Sequence, residues 1–284
     1  RADSSVCGPI SVDTTWTSAG NVYVVTCDVQ VLDGATLTIE NGTIVKFNNG
    51  TGMRVDGELI ATGVTFTSIS TSPTRGIWKN IYFTTSSENA VFDGSGNYLS
   101  GSKIQNSVVT WGGGSAGTLG AVEVAGASPY LDHNTISNSS TRGLYAAGES
   151  TSEKIRISGN TVNSNGGGGI YVSSGVLEGN SVYGNTGNKD GGGVYALNSV
   201  LNGNQINDND GRFGGGVYAS GCNLDNNTVS GNTGDEYGGG VYAEGGALTD
   251  NLITGNSIVC GLAGFARGAG IYANGGSIIG NTVS

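Results

Sequence analysis

The stretch "GGGVYALNSVLNGNQINDND" (191–210) holds three short apolar runs, each closed by glycine or asparagine, within twenty residues. Its order recurs on both sides. A Gly-rich run leads into an apolar residue and a tyrosine as "GLY" at Tyr145, "GGIY" at Tyr171, "GGVY" at Tyr195, Tyr218 and Tyr242, and "GIY" at Tyr272, in steps of 26, 24, 23, 24 and 30 residues. Downstream of each tyrosine an asparagine is followed two residues later by Val or Ile: Asn160, Asn180, Asn204, Asn227, Asn251 and Asn281. Leu or Ile stands three residues before most of these, and a second asparagine five residues after them, from Asn165 to Asn256. Self-similarity at a period of about 20–50 residues is the mark of a repeat architecture.

Helical repeats do not fit. The apolar runs are too short for a helix, β-branched residues are many, and glycine contributes 53 of 284 residues. Three strands per coil, stacked in parallel at about 4.8 Å per rung, fit better, because one column of like side chains can then fill the interior of each wall. The two-residue alternation of a strand turns Val217 and Ala219 inward and Tyr218 outward. An inward asparagine at each turn can satisfy backbone groups the turn leaves unpaired, bond the asparagine one coil above, and tolerate left-handed backbone. Both asparagine columns are therefore read as structural.

The first half keeps the pattern loosely. "GATLTIENGTIVKF" (34–47) and "GELIATGVTFTSI" (57–69) alternate as strands broken by Gly and Asn, and "KIQNSVVTWGGG" (103–114) approaches the later repeat. No linker divides the chain. The expectation is one all-β domain over 1–284, a parallel β-helix of about ten or eleven coils: entry coils at 1–47, irregular coils at 48–129 and regular Gly/Tyr/Asn coils at 130–284.

The "GGGVYA...GN.V..N" units resemble the right-handed parallel β-helix repeats of the pectate-lyase-like superfamily, especially those of repeat-rich secreted bacterial surface proteins. The segment "DTTWTSAGNVYVVTCDVQVLDGATLTIENGTIVKF" (13–47) is similar to the entry coils of that group. The resemblance covers nearly the whole chain and implies a right-handed solenoid. It does not choose a function, since this architecture carries lyases, hydrolases, adhesins and passive stalks.

Composition narrows the setting. A net charge of −10 and an even four cysteines suit an extracellular, secreted protein, with Cys7 and Cys27 flanking the entry coil as a disulfide. Cys222 and Cys260 are compatible with a bridge that staples the insertion "SIVCGLAGFARGAG" (257–270), with buried thiols, or with an intersubunit bond. Their spacing is not that of a zinc site. No apolar run is long enough to insert in a membrane. Twelve Lys and Arg against twenty-two Asp and Glu leave no basic stripe for nucleic acid.

No cofactor is expected, with calcium as the one candidate. Loops on successive coils bring Asp190, Asp208, Asp210, Asp235 and Glu236 toward one edge, and oxygen-rich edges hold calcium; Lys189 and Arg212 in the same stack offer salt bridges instead. In the resembling lyases a carboxylate cluster binds calcium while a basic residue takes the proton alpha to a uronate carboxylate, and in the related hydrolases paired aspartates do acid–base work. The one nucleus of that kind is "YLDHN" (130–134), where Asp132 and His133 resemble a metal-site pair of the lyases. The Arg-rich motif that should accompany it is absent, and the next coil offers "ISGN" (157–160) without a carboxylate. Asp132 and His133 are therefore expected in a turn that carries both on its outside, and no catalytic residue is assigned.

Two binding surfaces remain. Tyr145, Tyr171, Tyr195, Tyr218, Tyr242 and Tyr272 would form an outward aromatic stripe, suited to a polysaccharide, to a protein, or to the sheet's own stacking. The ends of a β-helix expose unpaired backbone and an open core. No cap is expected after Ser284, so Ile278, Ile279 and Val283 at one end, and Ile10, Val12, Val22 and Val24 at the other, are expected to join copies head to tail into a self-assembled homopolymer. The sequence thus favours a structural subunit of an extracellular filament or surface stalk, then a polysaccharide-binding or adhesin module, then a polysaccharide lyase or hydrolase.

Overall fold

The structure, a computed structural model, describes residues 3–19, 22–148, 154–187, 190–259 and 267–284. Every regular element among the described residues is a strand, and the strands wind into a parallel β-solenoid of about ten turns. Its coils gather in two compact units, Arg1–Arg156 and Ile157–Ser284.

In the second unit each coil supplies three walls. The tyrosine wall stacks Ile170–Ser173, Val194–Leu197, Val217–Ser220, Val241–Glu244 and Ile271–Asn274 in register. The next wall runs from Gly175–Glu178 through Val200–Asn202, Asn223–Asp225 and Ala247–Thr249 to Ser277–Ile279. The third runs from Thr161–Asn163 through Ser181–Tyr183 and on to Thr282–Val283. A fourth, short sheet pairs Asp210–Phe213, Thr233–Tyr237 and Ser257–Ile258. Val217 and Ala219 are buried while Tyr218 faces outward, as the alternation requires. Each buried Val, Leu or Ile in these columns contributes about 1.5–3 kcal/mol.

Both asparagine columns are hydrogen-bonded ladders. The Oδ1 of Asn204 accepts from the backbone N–H and Nδ2 of Asn180 at 2.9 Å, and the same pair of bonds links Asn204 to Asn227 and Asn227 to Asn251. Each Nδ2 also donates back to a carbonyl of the preceding coil, as Asn204 does to Leu177 at 3.0 Å. The second ladder, Asn165 to Asn256, repeats this arrangement. It also accounts for the glycine triplets. A Cβ on Gly216, the third of its triplet, would stand 2.8 Å from Asn232 Nδ2 and 2.7 Å from both Val229 Cγ1 and the Gly240 carbonyl.

The first unit varies the same plan. Its ladder position is occupied by Thr43, Val64, Ser107 and Asn134, the residues before the paired strands Ile44–Phe47, Thr65–Ser68, Val108–Thr110 and Thr135–Ser137. Ser107 Oγ takes the Val64 N–H at 3.1 Å, and the Ser107 N–H donates to Asn134 Oδ1 at 2.9 Å. Val64 offers nothing to Thr43, whose buried Oγ1 has no hydrogen-bond partner. Larger core residues compensate, with Phe47 stacked on Trp78 at 4.2 Å between centroids. An antiparallel hairpin, Val91–Phe92 with Tyr98–Ser100, interrupts the coil rhythm.

Cys7 and Cys27 form the expected disulfide between the paired strands Ser4–Ile10 and Val22–Val31, which points to an oxidising compartment. Cys222 is a buried thiol one coil above Ser199, and its Sγ stands in for a serine hydroxyl, accepting from Ser199 N–H at 3.4 Å and donating to the Ser220 carbonyl at 3.3 Å. Cys260 lies outside the described residues. Among the described residues no helix is long and apolar enough to cross a membrane.

Candidate functional site

The outer face of the tyrosine wall changes character in the first unit. Successive coils put Pro9, Gln30, Arg54, Tyr82, Glu123 and Tyr145 in one register row, because Val29, Met53, Ile81 and Val122 beside them turn into the core. The neighbouring row is Asp28, Gly52 and Asn80. Between these rows lies a cleft of about 320 Å³. Gly52 keeps it open, since a Cβ there would meet Lys79 Cβ at 2.9 Å and the Asn80 carbonyl at 3.0 Å.

Two cations line this cleft. Lys79 Nζ stands 2.5 Å from Asp28 Oδ2, while Asp28 Oδ1 accepts the Gly52 N–H at 2.9 Å. Arg54 grips Asp56 with two nitrogens, Nη2 at 2.7 Å and Nε at 3.0 Å, and its guanidinium lies 5.7 Å from the Tyr82 ring centroid. Asp56 is buried and also accepts from Gln30 Nε2 at 2.6 Å and Thr84 Oγ1 at 2.7 Å. The Arg54 hydrogen bond, with those from Gln30 and Thr84, outweighs burial and holds the Asp56 carboxyl down at about 2. Glu123 is the opposite case. Burial pushes its carboxyl up from the ordinary value, against the lowering effect of hydrogen bonds from the Leu119 N–H at 3.0 Å and Asn80 Nδ2 at 2.8 Å. The cleft offers two half-exposed cations, an aromatic ring and amide groups, with the buried Glu123 carboxyl on the coil beyond Tyr82.

The residues singled out from sequence lie elsewhere. Tyr171, Tyr195, Tyr218, Tyr242 and Tyr272 form a ladder in the second unit, with ring centroids 5.3, 4.5, 5.1 and 5.2 Å apart and planes within 15° of parallel. Their faces are therefore turned to one another, and the ladder presents ring edges and hydroxyls. Tyr145 belongs to the row above Glu123 in the first unit. Asp132 does not face outward from a turn as expected. It is buried, accepts from Gln105 Nε2 at 2.8 Å and contacts His133 Nδ1 at 2.7 Å, because it ends a strand; His133 follows in left-handed backbone with its ring 64% exposed.

Among the described residues no group of three or more His, Cys, Asp and Glu comes together as a metal would need. Asp210 and Asp235 lie on paired strands of the short sheet, and Glu236 is held by Arg212 at 3.0 Å; Asp208 sits in a left-handed turn. Asp190 lies near enough to Tyr242 to act on its hydroxyl, and Lys189 lies outside the described residues. At the two ends, Ile278, Ile279 and Val283 are 51–62% exposed, and Val12 is exposed. Val24 is buried beneath the strand Ser4–Ile10, and Val22 and Ile10 are half-buried. The cleft residues Arg54, Lys79 and Tyr82 were not singled out, although "MRV" and "IYF" carry the inward–outward alternation that lines up Arg54 and Tyr82.

Residues 120–284 match the family model for the right handed beta helix region. The chain belongs to the right-handed β-helix family. The solenoid is accordingly right-handed. Solved β-helices similar to it include the A-module of the mannuronan C-5 epimerase AlgE6 of Azotobacter vinelandii, at 13% identity and a TM-score of 0.42, over 99% of this chain and 91% of that one. The periplasmic alginate epimerase AlgG is similar at 10% identity and a TM-score of 0.45, over 96% and 77%. The Dettilon tailspike protein is similar at 12% identity and a TM-score of 0.47, over 92% and 62%. No curated protein sequence matches this β-helix.

Proposed function

We propose that this β-helix is a secreted polysaccharide-binding protein whose first unit holds an acidic glycan in the cleft between Lys79 and Arg54. The observation that carries the reading is the cleft itself: a 320 Å³ concavity with two cations, the Tyr82 ring and the Asn80 amide opening into one groove. A sugar carboxylate would exchange with Asp28 at Lys79 and take the outward N–H groups of Arg54, while a pyranose ring lies on Tyr82. Affinity electrophoresis through gels containing alginate, polygalacturonate or a neutral glucan tests it. The expected result is retardation by the acidic polymers alone, abolished in the double variant Arg54→Ala, Lys79→Ala. Equal migration in every gel removes the proposal.

A second reading is the subunit of an extracellular filament or stalk expected from the sequence, with its joint at Ile278, Ile279 and Val283. Another copy seated there would cover these side chains and extend the sheets. Negative-stain micrographs should then show fibres that Ile278→Lys dissolves, and dispersed particles at high concentration would end this reading.

A further inference from the structure

The second unit presents a face of opposite electrostatic character to the cleft. Residues 157–284 carry nine Asp and Glu against Lys189, Arg212 and Arg267. On the tyrosine wall, the Glu244 carboxylate accepts from the hydroxyls of both Tyr218 and Tyr242 at 3.0 Å, so these hydroxyl oxygens keep their lone pairs for a ligand. Burial first, and then the bond to Glu244, push both hydroxyls up, Tyr242 to about 12, and keep them protonated.

Beside this row the aromatic packing opens. Phe213 and Tyr237 come from the short fourth sheet, and their rings meet Tyr242 and Tyr272 at 5.0–6.5 Å with planes tilted by 33–57°. Phe213, Tyr237 and Tyr242 are half-buried and tilted to one another rather than stacked, and a cation already occupies one ring face. The Arg212 guanidinium lies 4.6 Å over the Phe213 ring while bonding Glu236. The corner thus combines aromatic faces, carboxylates and tyrosine oxygens, all of which favour positive charge.

We infer that this face binds a cationic amino-sugar polymer, its ammonium groups meeting Glu244 and the tilted rings of Tyr237 and Tyr242. A polymer is favoured over a single small cation because the tyrosine hydroxyls repeat with every rung, at about 4.8 Å, and so offer a row of acceptors to a row of sugar hydroxyls. The inference extends the reading of the protein as a glycan binder to a second ligand class at a second place.

Calorimetry on the full chain tests it with a fully deacetylated glucosamine hexasaccharide, its N-acetylated counterpart and hexalysine. The expected result is binding of the glucosamine oligomer, weakened about tenfold or more by N-acetylation and about tenfold by Glu244→Gln, the worth of one charge-assisted hydrogen bond. Tyr242→Phe keeps the ring and removes the bond to Glu244, and should weaken binding less than Tyr242→Ala. Equal affinity for the acetylated oligomer, absence of binding, or an unchanged affinity in a folded Glu244→Gln protein overturns the inference. Hexalysine binding as tightly as the sugar overturns it in favour of a basic peptide. Retardation by acidic glycans is read separately on the same protein, so either proposal can fail alone.

Discussion

At position 204 one side chain serves three coils. Asn204 accepts twice from Asn180 below and donates to Asn227 above and to the Leu177 carbonyl, all of them buried. Asn204→Ala takes the acceptor from the Asn180 N–H and the amide donor from the Leu177 carbonyl, while the Asn180 amide keeps the Ile157 carbonyl; buried unsatisfied groups cost about 1–3 kcal/mol each. The expected loss is about 2–4 kcal/mol, read as a fall in the chemical-denaturation midpoint. Thr43 makes the complementary case. Its orphan Oγ1 gains nothing from burial, so Thr43→Val should be neutral or stabilising by up to about 1 kcal/mol, and a loss of stability would mean that the hydroxyl is bonded after all. The asparagine columns were legible because a polar residue recurring inside an apolar period needs a partner, and the period names it. The reason for the third glycine was not legible, since it depends on how near the Asn232 amide comes from the next coil.

Among the strands, the cleft shows where reading by period stops. The row Gln30, Arg54, Tyr82, Glu123 and Tyr145 is spaced by 24, 28, 41 and 22 residues, the long step containing the hairpin Val91–Phe92 with Tyr98–Ser100. A tyrosine column at nearly constant steps announces itself; a column of five residues of four kinds, with an insertion, does so only once the strands are paired. Asp56 ties this element together, and its titration gives a test. Its folded value of about 2 lies below the roughly 3.9 of an unfolded aspartate, so its contribution is complete above about pH 4 and is lost as pH falls toward 2. Melting temperatures of the native protein and Asp56→Asn should therefore differ most above pH 4 and converge toward pH 2. A constant offset across that range would mean that the Arg54 pair does not set the Asp56 titration. The strand Ser4–Ile10 is held to its neighbour by the Cys7–Cys27 bond, which closes a loop of 20 residues. Its removal by Cys7→Ser with Cys27→Ser should cost about 2–4 kcal/mol, measured by denaturant titration of the oxidised native protein against the variant.

For the whole molecule the decisive quantity is its net charge of −10, which opposes the approach of an acidic glycan even as Lys79 and Arg54 attract it. The two effects have different ranges. At 0.01 M salt the Debye length is about 30 Å, so a ligand at the cleft feels most of the molecule's negative charge; at 0.1 M it is about 10 Å, and the nearby cations dominate; at 1 M, about 3 Å, even these are screened. Affinity for a short acidic oligosaccharide should therefore rise between about 0.01 and 0.1 M salt and fall again toward 1 M. The glucosamine oligomer at the tyrosine face, attracted by both the local carboxylates and the overall charge, should weaken monotonically over the same series. Calorimetric titrations of the two ligands at four salt concentrations separate these outcomes. A monotonic fall for the acidic ligand would show that its site sees a field more positive than Lys79 and Arg54 alone provide, and would move the search for its contacts to other cations of the first unit, with Arg75 and Lys103 the next to replace.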